Sequence, residues 1–489
     1  MLKTGWVQGS EKAQGARRAA VIGGGIGGLL AARVLADHFE EVLLIERDHF
    51  PEGAEHRPGV AQARHLHLLL KRGLMVVERL FPGIREDLLA AGSHQVDQGA
   101  DYRILYRYGM APDKPHDLDI LTFTRPLLES TIRRHLAVQP NVRFLEGFQV
   151  AGLATGDDHA RVTGVRIVPR RHAAGETEEQ ILQADLVVDS SGRMSAAPQW
   201  LEEIGYSAPS ETEVDAFWGY GTRLYEVPAG WKADWKIFLS MNRPPYQTRA
   251  GIIEPVEGGR WLVTLAGVMH DYPPTDEEGY LAFARSLASQ EVYRAISQAK
   301  PVSKIIGYRR LSNRLRHYEQ LSRLPQGFVL VGDSVCSVNP VYGLGMTLTS
   351  LTVEHLETSL LASRGGRDLD PLTFQKAIGK LVMGPFAMTT GEDLRWPATQ
   401  GGEITLKVKV MHWYLDQVIR LIPDSPEVYL AFQKVNHMLE APESLFRPAT
   451  LFRVLKQALT PAKAPKPLAA PAAAPAAVEP RASAVSLRR

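Results

Sequence analysis

The chain is poor in cysteine: one residue, Cys336, in 489. No intramolecular disulfide can form, which excludes a small disulfide-held secreted scaffold. It has no run of about eighteen uncharged apolar residues, the length a transmembrane helix needs. It has no dominant charge either. The 56 Lys and Arg are balanced by 54 Asp and Glu, for a formal net charge of +2. The chain as a whole is therefore not drawn to nucleic acid or to an anionic surface. Residues Met1 to Arg18 are polar and hold no apolar signal-peptide core, so a cytoplasmic location is expected. No Ser-His-Asp order with a nucleophile-elbow sequence occurs. His65 and His67 would share a face if they lay on a strand, but no Cys or carboxylate cluster accompanies them, and no metal is expected.

What is present is an ordinary globular composition, 45% hydrophobic and 22% charged. The length is enough for two or three domains. Ala19 to Ile22 reads as a short buried parallel strand. It runs into Gly23-Gly24-Gly25-Ile26-Gly27-Gly28 and then a helix, Leu29 to Asp37. Gly23 permits the tight turn, Gly25 lets the backbone approach a pyrophosphate, and Gly28 lets the helix pack close to the sheet. A second apolar strand, Val42 to Ile45, ends in Glu46, at the spacing of an acid that binds ribose hydroxyls. Arg47 follows, either over an adenine or as a solvated strand-end charge. This unit predicts a dinucleotide site without naming the dinucleotide.

A second segment lies about three hundred residues further on. The strand Phe328 to Val331 ends in Gly332-Asp333, a turn holds Pro340, Gly343 and Gly345, and a helix begins near Thr347. The carboxylate would accept bonds from a ribitol or ribose hydroxyl. The turn would bring backbone N–H groups at a helix start to a ring carrying negative charge. Between the two lies a third strand and turn, Ala184 to Ser195. Such dispersion implies a nucleotide domain interrupted by insertions that build a second domain.

In this order and spacing the three segments resemble the flavoprotein monooxygenases of the para-hydroxybenzoate hydroxylase class. Gln62 to Leu70, Ala184 to Ser195 and Asn339 to Met346 are most similar to a bacterial branch that includes polyether-type olefin epoxidases. The resemblance implies FAD as cofactor. Gly23, Gly25 and Gly28 would hold its pyrophosphate, Glu46 its adenosine ribose, and Asp333 its ribitol or pyrophosphate side. Pro340, Gly343, Leu344, Gly345 and Met346 would line the isoalloxazine. Arg125 would contact FAD, and Arg64 would sit near the flavin. Arg64, Pro340, Gly343 and Gly345 are the residues placed nearest the chemistry. Ser191 replaces the usual acid of the central segment, Ala197 and Pro198 stand where an arginine is usual, and Leu344 replaces a common Gln. Electrons would come from NAD(P)H or from an external flavin reductase. The implied reaction inserts one atom of O2 into a hydrophobic natural product through a flavin C4a-hydroperoxide, as epoxidation or aromatic hydroxylation. A flavin-dependent saturase of isoprenoid double bonds and a flavin-binding protein without turnover are the competing readings. The Trp-x-Trp-x-Ile-Pro pattern of flavin halogenases is absent.

The expected architecture is α/β: a Rossmann-like FAD-binding domain interrupted by a mostly antiparallel sheet, with a C-terminal helical region. Residues 1–17 form a flexible start. Residues 18–78, 120–205 and 322–365 form the FAD domain, and 79–119 with 206–321 the substrate domain. Residues 366–460 are helical, and the Ala/Pro-rich residues 461–489 are expected to be disordered. Strands are expected around Trp218 to Tyr225 and Trp261 to Gly267, with a hairpin at Glu257-Gly258-Gly259. Trp218, Tyr220, Trp235, Phe238 and Tyr246 would line a substrate pocket beneath this sheet, or serve as cross-strand core. Lys407 to Leu421 presents Val410, Trp413, Tyr414 and Val418 on an apolar face, and core packing is expected rather than a pocket cover or membrane contact.

Overall fold

A computed structural model describes residues 17–170, 179–309 and 311–459. The expected flexible start, apart from Arg17, and the Ala/Pro-rich tail lie outside these residues. The first layer is a five-stranded parallel sheet in the order Phe328–Leu330, Leu186–Asp189, Arg18–Ile22, Glu41–Glu46, Val142–Glu146. Its three central strands are unbroken apolar runs because both faces are covered. The helices used below are α1 (Ile26–Ala36), α2 (Arg125–Ala137), α3 (Gly345–Ala362), α4 (Pro371–Asp393), α5 (Leu406–Leu421), α6 (Pro426–Asn436) and α7 (Pro448–Leu459). Helices α1 and α3 pack on each other against this sheet. Side chains cap several starts: Thr124 on α2, Asp370 on α4 and Thr405 on α5 accept from the backbone N–H three residues on.

The second layer is a seven-stranded sheet in the order Ile306–Tyr308, Gly219–Glu226, Arg260–Gly267, Arg249–Val256, Ile237–Ser240, Tyr102–Tyr106, Gly109–Met110. It is antiparallel except where Ile237–Ser240 meets Tyr102–Tyr106. The expected hairpin is there: Val256 pairs with Arg260, and Gly258 and Gly259 take φ of +77° and +65° in the turn. Together the layers form the α/β architecture read from the sequence, with an antiparallel sheet and a helical C-terminal region. Among the described residues no helix is long and apolar enough to cross a membrane.

Alternation along the strands gives the second sheet two distinct faces. Phe238, Ile253 and Val263 point one way and pack with Trp235, Tyr280 and Phe283 as a separate core. Ile104, Leu239, Ile252 and Thr264 point the other way, into a cavity. One expected element divides differently. In α5, Tyr414 and Val418 are buried, but Val410 and Trp413 are 56% and 47% exposed. The helix meets the core along a narrower stripe than its apolar content suggests, because another stripe faces the cavity.

Candidate functional site

A single cavity of about 1600 Å³ runs between the two layers. That exceeds the roughly 300–1,000 Å³ of an ordinary small-molecule pocket. One end is the glycine loop. Gly23 sits at φ +96°, and a Cβ there would press on the Ser190 carbonyl. A Cβ on Gly28 would overlap the Gly23 carbonyl oxygen. Gly25 differs: a Cβ there meets nothing within 4 Å, and the residue faces the cavity. No side chain caps α1, so its first-turn N–H groups point at open space.

Glu46 ends its strand beside this loop. Its carboxylate accepts from the Gly24 N–H at 2.7 Å and the Asp48 N–H at 2.9 Å, and pairs with Arg57 at 3.1 Å. Arg57 is buried and also bonds Glu129 at 2.8 Å. The sequence reading did not single it out, since no local motif marks it. Arg47 is exposed at the cavity edge. Arg125, at the start of α2, is buried, and its Nε has no hydrogen-bond partner among the described residues. The nearest carboxylate oxygen, on Glu129, is 3.4 Å away. Burial pushes the Arg125 guanidinium down from its ordinary value. Asp333 opens into the same space. Burial raises its carboxyl to about 6, against the pull of Arg125, Arg193 and Arg314.

Beyond Asp333 the wall is Pro340, Gly343, Leu344, Gly345 and Met346. Gly343 takes φ +70° to turn the chain into α3. The turn is anchored by a residue the sequence reading missed, Asp393 at the end of α4. Its fully buried carboxylate accepts from Tyr342 Oη at 2.7 Å, Trp218 Nε1 at 2.9 Å, Asn313 Nδ2 at 2.6 Å and Asn339 Nδ2 at 3.3 Å. Burial nevertheless raises it to about 6. These partners lie 51 to 175 residues away in sequence, so no local pattern could have found it.

The far end is apolar and built from two sources. The sheet supplies Ile104, Leu239 and Ile252. The C-terminal helices supply Met388, Leu415 and Ile419. Trp218 and Tyr220 also line the cavity. Trp235 and Phe238 do not: strand alternation turns Phe238 to the core on the opposite face, and Trp235, in the loop before that strand, packs into the same core. Tyr246 is 84% exposed and lies off the cavity. Arg64 ends a short 3-10 turn with its side chain in solvent, while its neighbours Gln62 and Leu66 line the cavity.

His65 and His67 do not share a strand. His65 is buried, with Nδ1 2.8 Å from Thr222 Oγ1, which lies 2.8 Å from Thr264 Oγ1 at the cavity wall. Burial, with Arg64 next, lowers its pKa to about 4. His67 lines the cavity with Nδ1 2.8 Å from the His65 carbonyl. A carbonyl only accepts, so Nδ1 carries the proton and Nε2 is an acceptor. Burial lowers its pKa to about 3. Cys336 is buried, its thiol pushed up by burial. Among the described residues, no group of three or more His, Cys, Asp or Glu is arranged to hold a metal ion.

Residues 17–365 match the family described as FAD binding domain. The chain belongs to that family. This flavoprotein is also 34% identical over 348 residues to Protein Rv3254 of Mycobacterium tuberculosis, covering 70% of this chain and 73% of that protein. Its fold is shared with the flavin-dependent brominase Bmp2 (a triple mutant), at a TM-score of 0.62 and 13% identity, covering 89% of this chain and 98% of that one. It is shared too with PqsL, a probable FAD-dependent monooxygenase from Pseudomonas aeruginosa, at 0.54 and 16%, over 84% and 98%. The myxobacterial chondrochloren halogenase CndH gives 0.59 and 15%, over 88% and 99%. The residues fit FAD. Gly25 leaves a cradle beside an uncapped helix start, and Arg125 lines the same space.

Proposed function

We propose that this flavoprotein is a monooxygenase acting on a hydrophobic small molecule, with olefin epoxidation or aromatic hydroxylation as the reaction. The observation that carries the proposal is the continuity of the cavity. One space joins the glycine loop, Asp333 and the Pro340 to Met346 turn to an apolar chamber lined by Ile252 and Leu415. Cofactor ring and substrate would meet in it with little water.

Gly23, Gly25 and Gly28 would hold the pyrophosphate of FAD, with Arg125 and Asp333 on either side. Bound FAD supplies the reaction with O2 and the transferred oxygen atom. The balance is one O2, two electrons and two protons for one oxygenated product and one water. The electrons come from NAD(P)H or a flavin reductase. The start of α3, which has no side-chain cap, presents backbone N–H groups and a positive dipole end, and these would favour the reduced, anionic form of a flavin ring held against Pro340 to Met346. The Tyr342 hydroxyl donates to Asp393 and so fixes the cavity wall rather than titrating; burial holds its own pKa well above the usual value. The apolar chamber excludes water around the reacting atoms.

The test is oxygen consumption with reduced flavin and an olefinic or aromatic substrate, with product mass read out. A gain of one oxygen atom, labelled when the gas is ¹⁸O2, is expected. A product that instead gains two hydrogens, without oxygen uptake, would establish the saturase reading.

A further inference from the structure

The C-terminal helices gather apolar side chains that face solvent. Eighteen large apolar residues are exposed on the described chain, and nine of them lie between Ile404 and Leu459. Helix α5 has three faces. Tyr414 and Val418 enter the core. Val408, Met411 and Leu415 line the cavity. Leu406, Val410 and Trp413, spaced four and three apart, are 77%, 56% and 47% exposed. Helix α7 packs on α5 through Val454. Its outer side carries Leu451, Phe452, Leu455 and Leu459, all exposed. Scattered exposed apolar residues are normal, but concentration on two adjoining helices marks an interaction surface.

Cations are interleaved with this stripe. Helix α7 holds Arg453 and Lys456 and no acid, and the first turn of α5 holds Lys407 and Lys409 and no acid. One edge is shared: Arg453 Nη1 pairs with Glu427 at 2.8 Å and bonds Ser425. In sequence, residues 460–489 add Lys463, Lys466, Arg481, Arg488 and Arg489 against Glu479 alone. A two-fold interface must be self-complementary, and α7 and the first turn of α5 hold no acid to meet the cations of a second copy. The basic tail folding back would set like charges against each other. Aromatic and aliphatic residues mixed with Lys and Arg on helices poor in acid match the headgroup boundary of an anionic bilayer.

We propose that the α5–α7 face docks on a phospholipid bilayer surface bearing anionic headgroups. The face adjoins the cavity wall, because α5 contributes to both. Docking there sets the apolar chamber beside a reservoir of apolar molecules.

The test is co-sedimentation of the full-length protein with vesicles of phosphatidylcholine alone and with added phosphatidylglycerol. The expected result is at least tenfold stronger partitioning onto the anionic vesicles, weakened by salt. The double variant Trp413→Asp/Phe452→Asp should lose at least tenfold of that binding with its melting temperature unchanged. Absence of binding to anionic vesicles would overturn the proposal. So would binding that survives the double substitution, or a wild-type dimer that the double substitution converts to monomer. None of these readouts involves flavin turnover, so the outcome is independent of the oxygenation test.

Discussion

The two ends of the cavity are built on different principles. At the glycine-loop end, backbone and charge do the positioning. Gly28 sits where a Cβ would strike the Gly23 carbonyl, and Glu46, Arg57, Arg125 and Asp333 are held in a charged, close-packed frame. At the other end, apolar side chains from a sheet and from α4, α5 and α6 meet, among them Ile252, Met388, Leu415 and Phe432, with polar residues such as Arg395 and Asp416 also in the wall. The first end tolerates almost no change of shape. The second is a surface of interchangeable apolar contacts, which sets what fits rather than whether the protein folds. The Asp393 cluster is the joint between them, tying α4 to the Tyr342 turn and to Trp218, which directly precedes a strand of the sheet.

Substitutions can break or sharpen this contrast. The largest effect is expected for Gly28→Val, whose side chain has no space. It should destabilise the protein by about 4 kcal/mol or more, seen as loss of soluble, flavin-loaded protein. Asp393→Ala leaves four donors around an empty site and should cost about 3 kcal/mol in chemical denaturation. Its pH signature follows from the raised carboxyl. With a native value of about 6 against the model-peptide 3.8, the folded protein binds the extra proton between those values. That contribution to stability therefore falls as pH rises through the window, and the variant should show a flatter melting profile from pH 4 to 6.

Asp333→Ala should weaken FAD binding by roughly 1.5–3 kcal/mol, about ten- to a hundred-fold, as measured by titrating the apoprotein. Full retained affinity would remove Asp333 from the site. Gly25→Ala is the more discriminating partner to Gly28→Val. Its Cβ meets no protein atom and its φ of −75° suits any residue. Its melting temperature should match wild type while FAD affinity drops about tenfold, or ~1.4 kcal/mol. Smallest of all, Leu415→Ala at the apolar end should raise KM about fivefold, near 1 kcal/mol, with FAD affinity unchanged.

The same contrast explains what could be read from the sequence. The loop end is encoded by short spacings. Strand, Gly23 to Gly28, helix and Glu46 are contiguous, and Gly332 to Met346 repeats that economy. The apolar end is encoded by contacts between distant segments. The aromatic residues of the middle sheet could be named from composition, but strand parity decides their face. It sends Tyr220 to the cavity and Phe238 to the opposite core. The part played by α4, α5 and α6 in the wall was hidden for a similar reason. An apolar helix side gives one signal whether it meets core, cavity or solvent, and α5 meets all three. Asp393 has no neighbour in sequence that marks it. Arg64 shows the converse, since a residue inside a legible segment can still turn outward at a 3-10 turn.

The most direct test of the account is a crystal structure of the protein reconstituted with FAD. The pyrophosphate should lie on Gly25 at the start of α1. The isoalloxazine should lie against Pro340 to Met346, with one face toward the chamber lined by Ile252 and Leu415. A ring bound elsewhere, or a chamber closed off from it by protein, would contradict the claim that cofactor and substrate share this cavity.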